Sequence, residues 1–196
     1  MKESKTIAHK CMQCGRCCRN RNGIYITPYE VLSISQHLNI SCEEFIGTYC
    51  GFTNAEPYIK WNEDDKSCLF LKKDEETGKT FCSIYDVRPL ACYLYPLGVS
   101  TMKDDRPNSF TYYTNECPAT ITTTSAEPMT YMEFAKQKSN GRYPADFWNA
   151  RKSGIWLQDV YDHGYYPHQI IEYLYLNSSA KEIDKKLNTP WNKRKK

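Results

Sequence analysis

Ten cysteines stand in a chain of 196 residues, at positions 11, 14, 17, 18, 42, 50, 68, 82, 92 and 117. Four of them fall within the eight residues "CMQCGRCC". Cys11, Cys14 and Cys17 form a C-x2-C-x2-C triad. A loop of that spacing can curl until three sulfurs face one centre, and bacterial ferredoxins hold [4Fe–4S] clusters with it. Zinc ribbons more often use separated C-x2-C pairs. Gly15 lies inside the triad, where a residue without Cβ tolerates a tight backbone.

Cys18 directly follows the triad. Neighbouring side chains usually project in different directions, so Cys17 and Cys18 are expected to serve one centre unequally. A disulfide between them would be strained, since bridged Cα atoms are normally further apart than neighbours are. Cys18 therefore faces a second metal or completes the first in a distorted way. A triad needs a fourth donor and a second site needs three more; Cys68, Cys82, Cys92 and Cys117 are available. Cys117 precedes Pro118, as the distal cysteine of a ferredoxin run precedes proline. Lys10, Arg16, Arg19 and Arg21 flank the motif, and cations favour a thiolate-bound centre; the alternative is that they are solvated loop residues.

Disulfides and catalytic thiols are the competing uses of cysteine. Disulfides need an oxidising compartment. The start "MKESKTIAHK" is charged and lacks the apolar run of an export signal. "LACYLYPLGVSTM" is too short to span a bilayer and contains proline. The expectation is a cytoplasmic protein with reduced thiols and no membrane partner. Its net charge of +3 is too small to imply nucleic-acid binding. No thiol has an evident histidine partner for nucleophilic catalysis. The nucleotide, zinc-protease and serine-hydrolase motifs are missing.

Elements must bring these residues together. Thr27, Pro28 and Glu30 predict a capped helix over "TPYEVLSISQHLNI". Ser41 and Glu44 predict a second, with Cys42 in its first turn and Cys50 near its end. "PYIKW" is a candidate strand. "CLFL" and "FCSI" predict a hairpin around "KKDEETGKT". Asp86 is expected to cap a short helix with Pro89 in its first turn and Pro96 at its end. "LGVSTM" and "SFTYYT" predict another strand pair across "KDDRPN", and "TITTTSAEP" a connector. After Pro128 there are no cysteines, and helical spacing of aromatic and aliphatic residues predicts three or four helices. The end, "WNKRKK", reads as a solvated tail.

The fold class expected is α+β. A small irregular cysteine-rich metal-binding domain with short hairpins and helices would occupy 1–120. A helical extension packed on it would occupy 121–196. Cys42 and Cys50 read as buried small hydrophobes. Arg88 and Asp86 read as structural, fixing the loop before Cys92. The tyrosines at 161, 165, 166, 173 and 175 read as core and groove lining. His9, His37, His163 and His168 show no metal spacing, although His9 is close enough to Cys11 to be a spare ligand or proton carrier.

"CMQCGRCC", then "CLFL", then "CSIYDVRPLAC", then "YP" together resemble the CxxCxxCC family of zinc- or iron-chelating domains. Its C-x-x-Y-x-x-R-P-x-x-C element is matched by Cys82, Tyr85, Arg88, Pro89 and Cys92, and the likeness runs over about residues 8 to 120. The resemblance implies Cys11, Cys14, Cys17, Cys18, Cys68, Cys82, Cys92 and Cys117 as metal ligands. Some members are called flagellin lysine N-methylases, which transfer methyl from S-adenosylmethionine to protein lysine. This chain is short for an added methyltransferase domain and lacks the C-x3-C-x2-C spacing of radical S-adenosylmethionine enzymes. The leading expectation is an iron–sulfur protein with one or two clusters, at least one [4Fe–4S], acting in redox or in modification of a protein or peptide partner. A zinc-stabilised interaction module is the alternative, and an S-adenosylmethionine-dependent lysine methyltransferase the second.

Overall fold

The computed structural model describes residues 6–9, 11–19, 23–99, 110–112, 117, 129–143, 145–162, 164 and 166–189. The expectations resting on Lys10, Arg21, "KDDRPN", Pro118, "TITTTSAEP", His163, Tyr165 and "WNKRKK" lie outside them. The architecture is mixed α+β, with helices and short antiparallel strand pairs.

Helix α1 (Pro28–Leu38) starts as its sequence requires. Thr27 accepts from the Glu30 amide at 3.2 Å, and the Glu30 carboxylate accepts from the Thr27 amide at 2.7 Å. Asn39, in the left-handed region, ends it. Ser41 caps α2 (Cys42–Tyr49) through the Glu44 amide. Cys50 is past that helix and opens strand β3 (Cys50–Thr53). β3 pairs with β4 (Glu56–Ile59), and β4 pairs on its other side with β2 (Ile24–Tyr25). The two-residue strand β1 (Thr6–Ile7) comes first in the chain.

The hairpin of β5 (Leu71–Lys73) and β6 (Thr80–Cys82) starts three residues after the beginning of "CLFL" and returns one residue before "FCSI", with Leu71 opposite Cys82. Cys68 instead makes an isolated bridge to Trp61. The predicted capped helix at Asp86 is split. Tyr85–Val87 form a single 3-10 turn, and α3 (Leu90–Leu94) begins only after Pro89. Proline holds the residue before it out of the helical region, so Arg88 is extended and the helix restarts. Strand β7 (Leu97–Val99) pairs with β8 (Phe110–Tyr112) as expected.

Strand β9 (Met129–Thr130) pairs with β1 and leads into α4 (Tyr131–Lys138), whose capping box is formed by Thr130 and Glu133. Helices α5 (Ala145–Asp162), α6 (Pro167–Tyr175) and α7 (Ala180–Leu187) follow. Val31, Ile34, Phe45 and Ile59 are buried in one apolar cluster with Val160, Ile170, Leu174 and Ile183. A second cluster joins Tyr93 and Leu94 of α3 to Ala135 of α4, Tyr143 and Phe147. Among the described residues no helix is long and apolar enough to cross a membrane.

Candidate metal centre

The triad loop is built on three anchors. Gly15 has φ 68° and precedes a 3-10 turn over Arg16–Cys18. A Cβ there would meet Thr80 Oγ1 at 2.9 Å and the Leu71 side chain at 3.3 Å, so conformation and space both call for glycine. The Thr80 hydroxyl donates to the Gln13 carbonyl at 2.7 Å, fastening the loop to the β5–β6 hairpin. The Cys68 amide donates to the Cys18 carbonyl at 2.8 Å. Arg19 pairs with Asp65 at 3.0 Å, and Asp65 also accepts from the Ser67 amide and hydroxyl, which hold its carboxyl below the usual carboxylate range.

These anchors bring the distant thiols to the triad. Cys11, Cys14 and Cys17 are exposed, Cys18, Cys68, Cys82 and Cys92 are half-buried, and Cys117 is buried. Cys17 is the common neighbour. Its thiol acts on Cys18, Cys68, Cys82 and Cys92 and resists their ionisation. Its hydrogen bond to Cys18, with burial and the neighbouring thiols, pushes Cys18 far up. Burial, with the charges of Cys82 and Cys17, raises Cys68 to about 11. Burial is also the leading cause for Cys82 and Cys92, and the Arg88 guanidinium partly opposes it at Cys82. Packed thiols that resist becoming anions are what a bound cation relieves.

The second gathering is an open cavity. Cys11, Cys14, Cys17, Cys92 and Cys117 line it together with His9. Arg16, Arg88 and Lys138 also face it. Among the described residues none of these three cations has a carboxylate partner. Arg88 stacks on the Tyr85 ring at 3.5 Å and donates to the Tyr85 carbonyl, so its role in shaping the loop is met. Cys17 and Cys92 belong to both gatherings.

Among the described residues no three Cys, His, Asp or Glu side chains already stand as a metal's coordination set. Donors approach in pairs. The sulfurs of Cys17 and Cys18 lie side by side at 3.8 Å, not splayed as their adjacency suggested, because the 3-10 turn rotates them toward one another. A tetrahedral ion with metal–sulfur bonds of about 2.3 Å separates two sulfur ligands by about 3.8 Å, so this pair fits a metal's donor geometry. Thiolate donors of this kind suit zinc and iron alike.

Cys42 and Cys50 stand apart. The Cys42 thiol donates to the Asn177 carbonyl at 3.1 Å, and Cys50 sits in the main apolar cluster, where burial pushes its thiol up to about 12.

Two participants escaped sequence reasoning. Lys138 reaches the cavity from α4, with no local motif to mark it. Glu30 does more than cap α1. Its second oxygen accepts from the Leu90 amide at 2.6 Å, at the start of the helix that carries Cys92. A glutamate at the third position of a helix reads as a capping residue, and nothing in the sequence signals a second acceptor role.

A cysteine-rich α+β chain whose thiols gather on one loop and one cavity defines a metal-binding protein. The chain belongs to the CxxCxxCC family, described as a "putative zinc- or iron-chelating domain", which matches residues 10–118. It is also similar to an uncharacterized protein of Methanocaldococcus jannaschii, MJ0661, at 37% identity over 94 residues, 47% of this chain and 47% of the relative. The match thus spans about half the length of that relative. No solved structure matches the chain.

Proposed function

We propose that this protein is an iron–sulfur protein acting in electron transfer, or in a cluster-dependent modification of a protein or peptide, in the cytoplasm where its thiols stay reduced. The observation that carries this reading is the double membership of Cys17 and Cys92. Closed zinc sites divide their donors into sets of four. Here five thiols act on one another around Cys17, and the cavity adds Cys11, Cys14 and Cys117 without a break. A continuous donor set fits a polynuclear inorganic core better than two separate ions.

An iron–sulfur centre supplies one-electron chemistry, and [4Fe–4S] is the form that the triad spacing favours. The chain's own residues do the rest. Arg16, Arg88 and Lys138 set a positive potential at the mouth of the cavity, which favours an anionic centre. Exposed Cys11, Cys14 and Cys17 leave that side open to a partner.

A zinc-stabilised interaction module is the second reading. The 3.8 Å separation of the Cys17 and Cys18 sulfurs favours it, being one edge of a single ion's tetrahedron. Anaerobic purification, with iron, zinc and acid-labile sulfide counted in one sample, decides between them. Iron with matching sulfide and a coloured protein supports the first reading. A colourless protein with stoichiometric zinc overturns it. Titration with S-adenosylmethionine tests the lysine methyltransferase alternative, and no binding removes it.

A further inference from the structure

We propose that His9 is a metal ligand of this protein, acting through Nε2 beside the sulfur of Cys117. The inference rests on the metal-binding reading and adds a nitrogen donor to a set otherwise made of thiols.

His9 lies just before the first cysteine and follows strand β1, whose pairing with β9 ties it to the start of α4. The residue is only 9% exposed, yet it lines the same cavity as Cys11, Cys14 and Cys117. Its ring is fixed edge-on to Phe134, with centroids 5.6 Å apart. Nε2 stands 3.5 Å from Cys117 Sγ. A tetrahedral ion with a metal–sulfur bond of about 2.3 Å and a metal–nitrogen bond of about 2.0–2.1 Å separates those two donors by about 3.5 Å. The pair therefore spans one edge of a coordination tetrahedron, as Cys17 and Cys18 do.

The rest of the ring agrees. Nδ1 is buried and makes no hydrogen bond to another described residue. Nδ1–H is then the proton that a ring bound through Nε2 would carry, and the one the test detects. His9 lines the cavity with Cys11, Cys14 and Cys117 and so adds one nitrogen to the continuous donor set that runs on through Cys17 and Cys92. On iron, an imidazole in place of a thiolate raises the reduction potential, as in Rieske centres.

The test uses the full chain, stripped of metal and reloaded anaerobically with Co2+ as a spectroscopic probe. Proton NMR of the wild-type cobalt protein is expected to show a paramagnetically shifted, exchangeable imidazole N–H. The signal should persist in His37→Ala and vanish in His9→Ala. Cobalt affinity should fall in His9→Ala by at least about 10- to 100-fold, the loss typical of disturbing a metal site's support. His9→Cys should regain the affinity with stronger thiolate-to-cobalt charge-transfer absorption. A wild-type protein that binds cobalt without any shifted imidazole proton overturns the proposal and leaves the cysteine centre standing, whether or not the variants fold. Wild-type protein that takes up no cobalt likewise overturns it, and the metal-binding reading is then judged by its iron, zinc and sulfide content.

Discussion

The carboxylate of Glu30 accepts a hydrogen bond from the Leu90 amide at 2.6 Å, across sixty residues of sequence. Its other oxygen holds the Thr27 amide. One buried side chain thus closes the start of α1 and the start of α3, where Cys92 sits two residues further on. Burial raises its carboxyl, and the bonds from Thr27 and Leu90 oppose that rise.

Replacing Glu30 by alanine removes both acceptors and leaves two half-buried amides unmet. The expected loss is about 2–3 kcal/mol of stability, read from urea unfolding of the metal-free chain. Metal retention against a competing chelator should weaken as well, because α3 loses the group that fixes its first turn. Unchanged retention would show that Cys92 finds its position without Glu30.

Gly15→Ala is expected to damage the triad more than the global fold. It forces a Cβ into the left-handed region and against Thr80 Oγ1 at 2.9 Å. The backbone strain is worth about 1–3 kcal/mol. Metal stoichiometry should drop while far-ultraviolet circular dichroism of the purified protein stays close to wild type. Gly78→Ala is the control for strain without crowding, since its φ is 68° but no atom lies within 4 Å of its added Cβ.

The metal-free chain should lose stability in alkali. Burial holds the Cys50 thiol at about 12 in the fold, whereas unfolded thiols titrate near about 8.5. The folded state therefore keeps a proton that the unfolded state gives up. The contribution is complete below about pH 8.5 and is lost as pH rises toward 12, amounting to about 2 kcal/mol by pH 10. Urea midpoints at pH 8 and pH 10 measure it, and Cys50→Ala should remove about that much of a slope to which the raised Cys18, Cys68, Cys82 and Cys92 thiols also contribute. Metal binding by the other thiols has the opposite slope: it releases protons and strengthens as pH rises. A pH-independent affinity would mean that thiolates are not the donors.

Acid acts through His9. Burial and Lys138 depress its folded pKa to about 4, against about 6.5 when unfolded. The stability tied to the neutral ring is present above about pH 6.5 and disappears as pH falls through the window to 4. For the metal-free protein the loss approaches about 3 kcal/mol. His9→Phe should abolish this acid limb of the stability curve while leaving the alkaline one in place.

Local signals carried well from sequence to structure. The Thr27–Glu30 capping box, the Ser41 cap, the β7–β8 pair and the helices after Pro128 all follow from short-range spacing. The α+β class followed from them. Contacts that depend on distant chain were not legible. Nothing in two-residue strands such as Thr6–Ile7 and Met129–Thr130 announces that they pair. The Cys17–Cys18 sulfur contact depends on a single 3-10 turn, and the approach of His9 to Cys117 spans a sequence separation of 108. The triad is readable because its thiols share one loop, whereas its partners are defined by packing.

Helix α1 lies against α6 and α7 on one side and bears Glu30 at its first turn. Leu174 and Ile183, from segments without a single thiol, are fully buried beneath it with Val31 and Ile34. The last helices act as the foundation on which a beam rests, and the far end of that beam holds up the turn leading to Cys92. Tilting the foundation shifts the Leu90 amide's acceptor, so the aim of the Cys92 sulfur is set partly by residues beyond the 10–118 stretch that the family shares.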